Sequence, residues 1–375
     1  MLHRAYFTPG IFGFGRLASY DYFAHLETAL ARRFRDAGEQ LESFVVDVPP
    51  TASLRRRAAK LFDIVARSCE SDVDTSGPIH LVGHSTGGLD ARLAASPGAR
   101  LPVVEQRPWL PRLRSVTTLN APHFGTPLAS FFATVSGQRM LYAMSALTVI
   151  GLTLGAPPLA AAGSLAVAIG RLDRVMGLRL LNRTTKSMLG VLDEAQSGEV
   201  REFLHAIEED QGAVLQLTPE AMDLFQAGVE DRHGVRYQCV ATMAPAPTTI
   251  HWLRSLRRPW SAVSSSVFAT LYGLTALSDE KKYPCAAAVA DARTEKALAA
   301  AFGRSPGVRT NDGVVPLRSQ LWGELVWTGH ADHLDVLGHF DAPASGHVDW
   351  LTSGSGFDMR RFDAMVDAIA AGMLR

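Results

Sequence analysis

From its first residues the chain alternates between two hydrophobic rhythms. Ala5, Tyr6 and Phe7 make a short apolar run that stops at Pro9-Gly10, and Phe23, Leu26, Leu30 and Phe34 then recur at helical spacing. This pattern predicts a strand, a loop and a helix. Residues 44–48 read as a second strand closed by Pro49-Pro50, and Ser53 is placed to cap a helix whose Leu54, Ala58, Leu61, Phe62 and Val65 form an inward stripe. Further apolar runs at 79–82, 116–119, 235–241 and 325–328 read as strands, and Phe362, Met365, Val366 and Ile369 give the last helix an apolar face. Repeated strand-to-helix units imply a mainly parallel sheet covered on both faces, with reactive groups gathered beyond the carboxyl ends of the strands.

The alternation breaks between residues 128 and 232, where the pattern turns helical or apolar. The organisation expected is therefore an N-terminal part of an α/β core over 1–127, a large helical cap over 128–232 and the C-terminal part of the core over 233–375. Within the cap, residues 140–170 carry no charge. Gly151, Gly155 and Pro157-Pro158 interrupt that run, and it lies between segments of one domain, so a helical hairpin over the cleft is expected rather than a membrane span. The chain resumes at Leu217-Thr218-Pro219-Glu220, where Thr218 is suited to a helix cap with Pro219 at the first helical position.

At 375 residues the chain is long enough for a large core and an inserted subdomain. Its 37 basic side chains balance 37 acidic ones, with no basic block interleaved with aromatics, which excludes a nucleic-acid groove from the expectations. The three cysteines, Cys69, Cys239 and Cys285, are an odd number without paired metal spacing, which argues against a disulfide framework or structural zinc. Met1-Leu2-His3-Arg4 leads straight into a strand, so the expected location is cytoplasmic, or secreted if a signal segment has been removed.

The candidate chemistry centres on Gly83-His84-Ser85-Thr86-Gly87-Gly88, set between a strand and an Ala- and Leu-rich helix. Flanking glycines allow a sharp turn that lifts a serine into a cleft, so Ser85 is the expected nucleophile of a serine hydrolase. The helix that follows begins with exposed amides, and the Thr86 N–H can hold charge on an attacked carbonyl oxygen. A serine needs a neutral histidine to take its proton and a carboxylate to orient that histidine. Asp312, in the polar turn Thr310-Asn311-Asp312-Gly313, is the acid expected, and His333, in Asp332-His333-Leu334-Asp335, the base. His330, His339 and His347 are local alternatives for the base, and Asp291 and Asp341 for the acid.

Several patches in register resemble the bacterial true lipases of the α/β-hydrolase superfamily, the triacylglycerol lipase-like family that includes calcium-dependent members. They are the loop Pro9-Gly10-Ile11-Phe12-Gly13-Phe14, the segment Pro122-His123-Phe124-Gly125-Thr126-Pro127, Leu217-Thr218-Pro219-Glu220, the turn around Asp312 and His333-Leu334-Asp335. The resemblance implies an α/β-hydrolase fold, Ser85, Asp312 and His333 as the triad, and the N–H groups of Ile11 and Thr86 as the oxyanion hole. Two departures stand out: Pro9-Gly10 replaces the family's His-Gly, and Thr86 occupies a position where glutamine is common. The calcium-dependent members imply carboxylate ligands at Asp335 and near Asp341, so a structural Ca²⁺ is an expectation, though none is required for the chemistry.

The function expected is a carboxylic ester hydrolase, a lipase acting on lipid-like acyl esters through a serine acyl-enzyme. Its partners would be a soluble or aggregated lipid ester and a transient lipid interface, with no transmembrane anchor. A short-chain carboxylesterase or polyester hydrolase, an acyltransferase, and a non-catalytic lipid-binding protein are the alternatives.

Overall fold

The protein is described by a computed structural model covering residues 1–11, 16–17, 20–70, 77–102, 109–134, 137–138, 140–142, 144–145, 194–248, 259–277 and 290–375. Six strands form one parallel sheet: β1 (Leu2–Thr8), β2 (Gln40–Val45), β3 (Ile79–His84), β4 (Leu113–Leu119), β5 (Arg236–Met243) and β6 (Glu324–His330). Their spatial order is β2-β1-β3-β4-β5-β6, with Tyr6 paired to Phe44 on one side and to Leu81 on the other. A chain that must cross over between parallel neighbours needs a long return, and helices supply it. α1 (Ala24–Asp36), α2 (Leu54–Glu70) and α3 (Thr86–Ala95) are such returns, and the terminal α10 (Met359–Leu374) follows β6.

The helical stripes seen in the sequence face the sheet. Phe23, Leu26, Leu30 and Phe34 meet Phe362, Met365, Val366 and Ile369 in one buried cluster on one face. On the opposite face Ala58, Leu61, Phe62 and Val65 join Ala91, Ala94 and Trp109. Fully burying side chains of this size contributes roughly 1.5–3 kcal/mol apiece. The caps follow the expected chemistry: Ser53 Oγ accepts from the Arg56 amide at 3.4 Å, and Thr218 Oγ1 from the Ala221 amide at 3.4 Å.

The second strand differs from the expectation, starting at Gln40 and ending at Val45 rather than running over 44–48. It is an edge strand, so Gln40 and Glu42 tolerate water and the apolar signal marks only its half-buried end; the Val46 amide still bonds the Phe7 carbonyl at 2.8 Å.

Above the carboxyl ends of the strands lies a third apolar cluster. It joins α4 (Pro127–Phe132), α5 (Glu194–Glu209), α6 (Gly212–Gln216) and α7 (Pro219–Gly228) through Leu128, Phe132, Phe203, Leu204, Val214 and Met222. Met140, Leu141 and Met144 are buried in it, while 143 and 146–170 of the uncharged 140–170 run fall outside the described residues. Val267, Phe268 and Leu271 of α8 (Pro259–Thr275) belong to the same cluster, and α9 (Ala292–Phe302) packs beside β6. Among the described residues no helix is long and apolar enough to cross a membrane.

Candidate active site

Ser85 stands between the last residue of β3 and the first of α3, with φ 54° and ψ −126°. A non-glycine residue in such a conformation costs on the order of 1–3 kcal/mol and persists only where its surroundings hold it. They do: the Ser85 amide donates to the Leu119 carbonyl at 2.8 Å, and the Ser85 carbonyl accepts from the Gly88 amide at 3.0 Å. The turn also demands a bare backbone at Gly87, where a Cβ would sit 2.0 Å from the Thr8 carbonyl oxygen.

Asp312 and His333 meet although 21 residues separate them. The His333 Nδ1–H donates to Asp312 Oδ2 at 2.7 Å, and the His333 amide donates to the Asp312 carbonyl at 3.0 Å. The other carboxylate oxygen, Oδ1, accepts from the amides of Val314 (2.8 Å) and Val315 (2.7 Å). With Nδ1 carrying the proton, the neutral ring keeps Nε2 as its basic lone pair. Asp312 is fully buried and His333 3% exposed, so little water competes for these bonds.

The first loop presses directly on Ser85, since a Cβ at Gly10 would lie 2.7 Å from Ser85 Cβ. A buried guanidinium anchors it. Arg57 of α2 donates Nη2–H to the Pro9 carbonyl at 2.6 Å, Nη1–H to the Pro49 and Pro50 carbonyls at 2.8 Å each, and Nε–H to Asp90 Oδ2 at 2.9 Å. Asp90 lies one turn after Thr86 on α3, so one side chain ties the loop of Ile11 to the helix of Thr86. Burial pushes the Asp90 carboxyl up to about 6, against the pull of Arg57. Arg57→Met alone should destabilise by about 3–5 kcal/mol, because it strands a buried carboxylate. The double variant Arg57→Met/Asp90→Leu should recover much of the melting temperature yet turn over esters about tenfold more slowly, a separation that melting curves and kcat will reveal.

Ile11, Ser85 and Thr86 line one cavity with Leu128, Phe132, Val214, Leu217, Val314 and Val315. Its walls are almost wholly apolar, and its free volume is ≈ 30 Å³. Thr86 opens α3, where the first amides have no partner within the helix.

The alternative residues lie elsewhere. His330 stacks edge-on to Phe302, His347 donates to the Gly338 carbonyl at 2.6 Å, and His339 approaches the Tyr22 carbonyl at 3.4 Å. Asp291 caps α9 through the Thr294 amide at 2.7 Å. Asp341 is exposed, whereas Asp335 is buried and its Oδ2 accepts from the Asp332 amide (2.8 Å) and the Ser355 hydroxyl (2.7 Å). Among the described residues no group of three His, Cys, Asp or Glu is arranged to hold a metal ion.

Burial, with the nearby charge of Asp349, pushes the Asp335 carboxyl up to about 8. An acid whose folded pKa exceeds its unfolded value near 4 stabilises the fold when protonated and loses that contribution as pH rises toward the folded pKa. The melting temperature measured in chelator should therefore fall between pH 5 and pH 9, and Asp335→Asn should flatten that fall.

The sequence patterns missed Arg57 and Asp90. Asp90 did leave a signal, a carboxylate inside the Ala- and Leu-rich α3, which demands a buried partner. Arg57 left none, being one of three consecutive arginines.

Comparison with known proteins bears on the fold. No family model matches the chain. A triacylglycerol lipase of Vibrio cholerae is 32% identical over 148 residues, which is 39% of this chain and 40% of that protein. Lipase 1 from Pelosinus fermentans superposes with a TM-score of 0.51 at 15% identity, covering 98% of this chain and 97% of its own. EstA from Clostridium botulinum gives 0.50 at 17% identity, covering 96% and 87%. The chain has the α/β-hydrolase fold. These likenesses relate it to bacterial lipases and esterases of that superfamily without singling out one family.

Proposed function

We propose that the protein is a carboxylic ester hydrolase that cleaves lipid-like acyl esters through a covalent acyl-serine. The observation that carries this reading is the Asp312–His333 hydrogen bond of 2.7 Å, set in the loops beside a strained Ser85 that opens into an apolar cavity. In the proposed reaction Ser85 Oγ attacks the ester carbonyl carbon while His333 Nε2 takes its proton. The carbonyl oxygen becomes an oxyanion facing the amides of Ile11 and Thr86. His333 then protonates the departing alcohol, and water activated by the same nitrogen releases the carboxylic acid. Asp312 holds the ring in the tautomer that both steps need. No metal takes part in any of these steps. The apolar walls formed by Leu128, Phe132, Val214 and Leu217 favour a hydrocarbon acyl chain.

A short-chain esterase is the second reading, favoured by one measurement. The cavity beside Ser85 is small, ≈ 30 Å³, which favours a short acyl group. An ester panel from two to sixteen acyl carbons, assayed below and above the aggregation point of the longer esters, separates the two. A lipase gains turnover with chain length and gains further on aggregated substrate; a short-chain esterase peaks at the shortest acids and ignores aggregation.

A further inference from the structure

The residue immediately before the nucleophile grips the base. We infer that His84 is a positioning residue that holds the main chain of His333 in register with Ser85, and that Tyr22 acts through it; the inference rests on the serine-hydrolase reading above.

His84 Nε2 lies 2.8 Å from the His333 carbonyl oxygen, across 249 residues of sequence. A carbonyl oxygen only accepts, so Nε2 carries the proton and donates it. Complete burial and the neighbouring His333 hold the His84 pKa well below its ordinary value, so the ring is neutral and Nδ1 is an acceptor. The donor facing that nitrogen is the Tyr22 hydroxyl, at 2.8 Å. Both side chains are buried, and the His84 and His333 rings sit 4.6 Å apart. The order of donation, Tyr22 to His84 to the His333 carbonyl, thus admits one tautomer.

This bond completes a clamp on His333. Its amide is held by the Asp312 carbonyl, its Nδ1 by the Asp312 carboxylate and its carbonyl by His84. The first two fix the ring relative to the acid and leave its placement relative to the serine open. His84 supplies that reference because it is covalently joined to Ser85. A shift of about 1 Å between a proton acceptor and its donor can cost on the order of 10²-fold in rate, which sets the scale of the effect.

The test uses His84→Phe, His84→Gln, Tyr22→Phe and His84→Phe/Tyr22→Phe in the full chain, with p-nitrophenyl butyrate turnover, fluorophosphonate labelling rates and melting curves. His84→Phe keeps a ring against His333 but cannot donate; kcat and the labelling rate are expected to fall about 10- to 100-fold with KM within about twofold. His84→Gln keeps an N–H within reach and should recover most of that loss. Tyr22→Phe should cost a few-fold alone and nothing further beside His84→Phe, since its route runs through the imidazole. Wild-type kcat in His84→Phe, equal losses in Phe and Gln variants, or additive losses in the double variant would each overturn the assignment. If His84→Phe does not fold, the His84→Gln and Tyr22→Phe comparison decides, because Tyr22→Phe must lower kcat without moving KM. Failure of the underlying reading looks different: wild-type protein would then not label at Ser85 at all.

Discussion

Ser85→Ala is expected to abolish ester turnover and fluorophosphonate labelling while leaving the melting temperature essentially unchanged. The hydroxyl supplies the atom that forms the acyl bond, but it adds little to the core, and alanine inherits the same backbone conformation. Ser85→Gly should be equally inactive and should melt higher, because glycine relieves most of a strain of about 1–3 kcal/mol at φ 54°. The pair of variants separates two properties of one position, since the strain serves the presentation of the nucleophile and the fold would be more stable without it. Turnover by purified Ser85→Ala near the wild-type rate would remove the nucleophile from the mechanism.

Asp312→Asn carries the second large effect. The carboxylate accepts three hydrogen bonds, two from the Val314 and Val315 amides and one from His333 Nδ1. An asparagine oxygen can keep the two amide bonds, so the turn should survive. The amide nitrogen would face Nδ1 as a donor, favouring the tautomer with its proton on Nε2, which cannot accept the serine proton, and the imidazolium would lose its counter-charge. The same exchange in a serine-protease triad costs on the order of 10⁴ in kcat, and a loss of at least 10³ is expected here. Asp291→Asn, at an exposed helix cap, should leave kcat untouched. Reversal of those two results, in folded protein, would move the acid away from Asp312.

The two rhythms of the chain were legible where side chains face a common core. The stripes of α1, α2 and α10 and the runs in β1, β3, β4 and β5 report burial directly, and burial is what hydrophobic spacing encodes. The start of β2 was illegible because an edge strand needs few apolar residues. The role of α8 was hidden too: Val267, Phe268 and Leu271 pack against segments more than a hundred residues earlier, and spacing names no partner. The site divides the same way. Ser85, Asp312 and His333 stand in local turns whose glycines and polar residues are themselves signals. The hydrogen bonds that position them are not local: His84 reaches 249 residues forward and Arg57 reaches 48 residues back to Pro9. Nothing near either residue in sequence announces its acceptor.

The span from Ser85 to His333 also orders events in time. The proposed nucleophile and both proposed oxyanion donors belong to the first quarter of the chain, and the proposed base sits on the loop after β6, an edge strand far from them in sequence. Contacts between such distant segments form late, after shorter loops have closed. During refolding from denaturant, helical signal should therefore return before esterase activity. On the proposed mechanism, a chain still lacking β6 would hold a shaped but inert serine, so the chemistry would begin only once the β6 loop had docked.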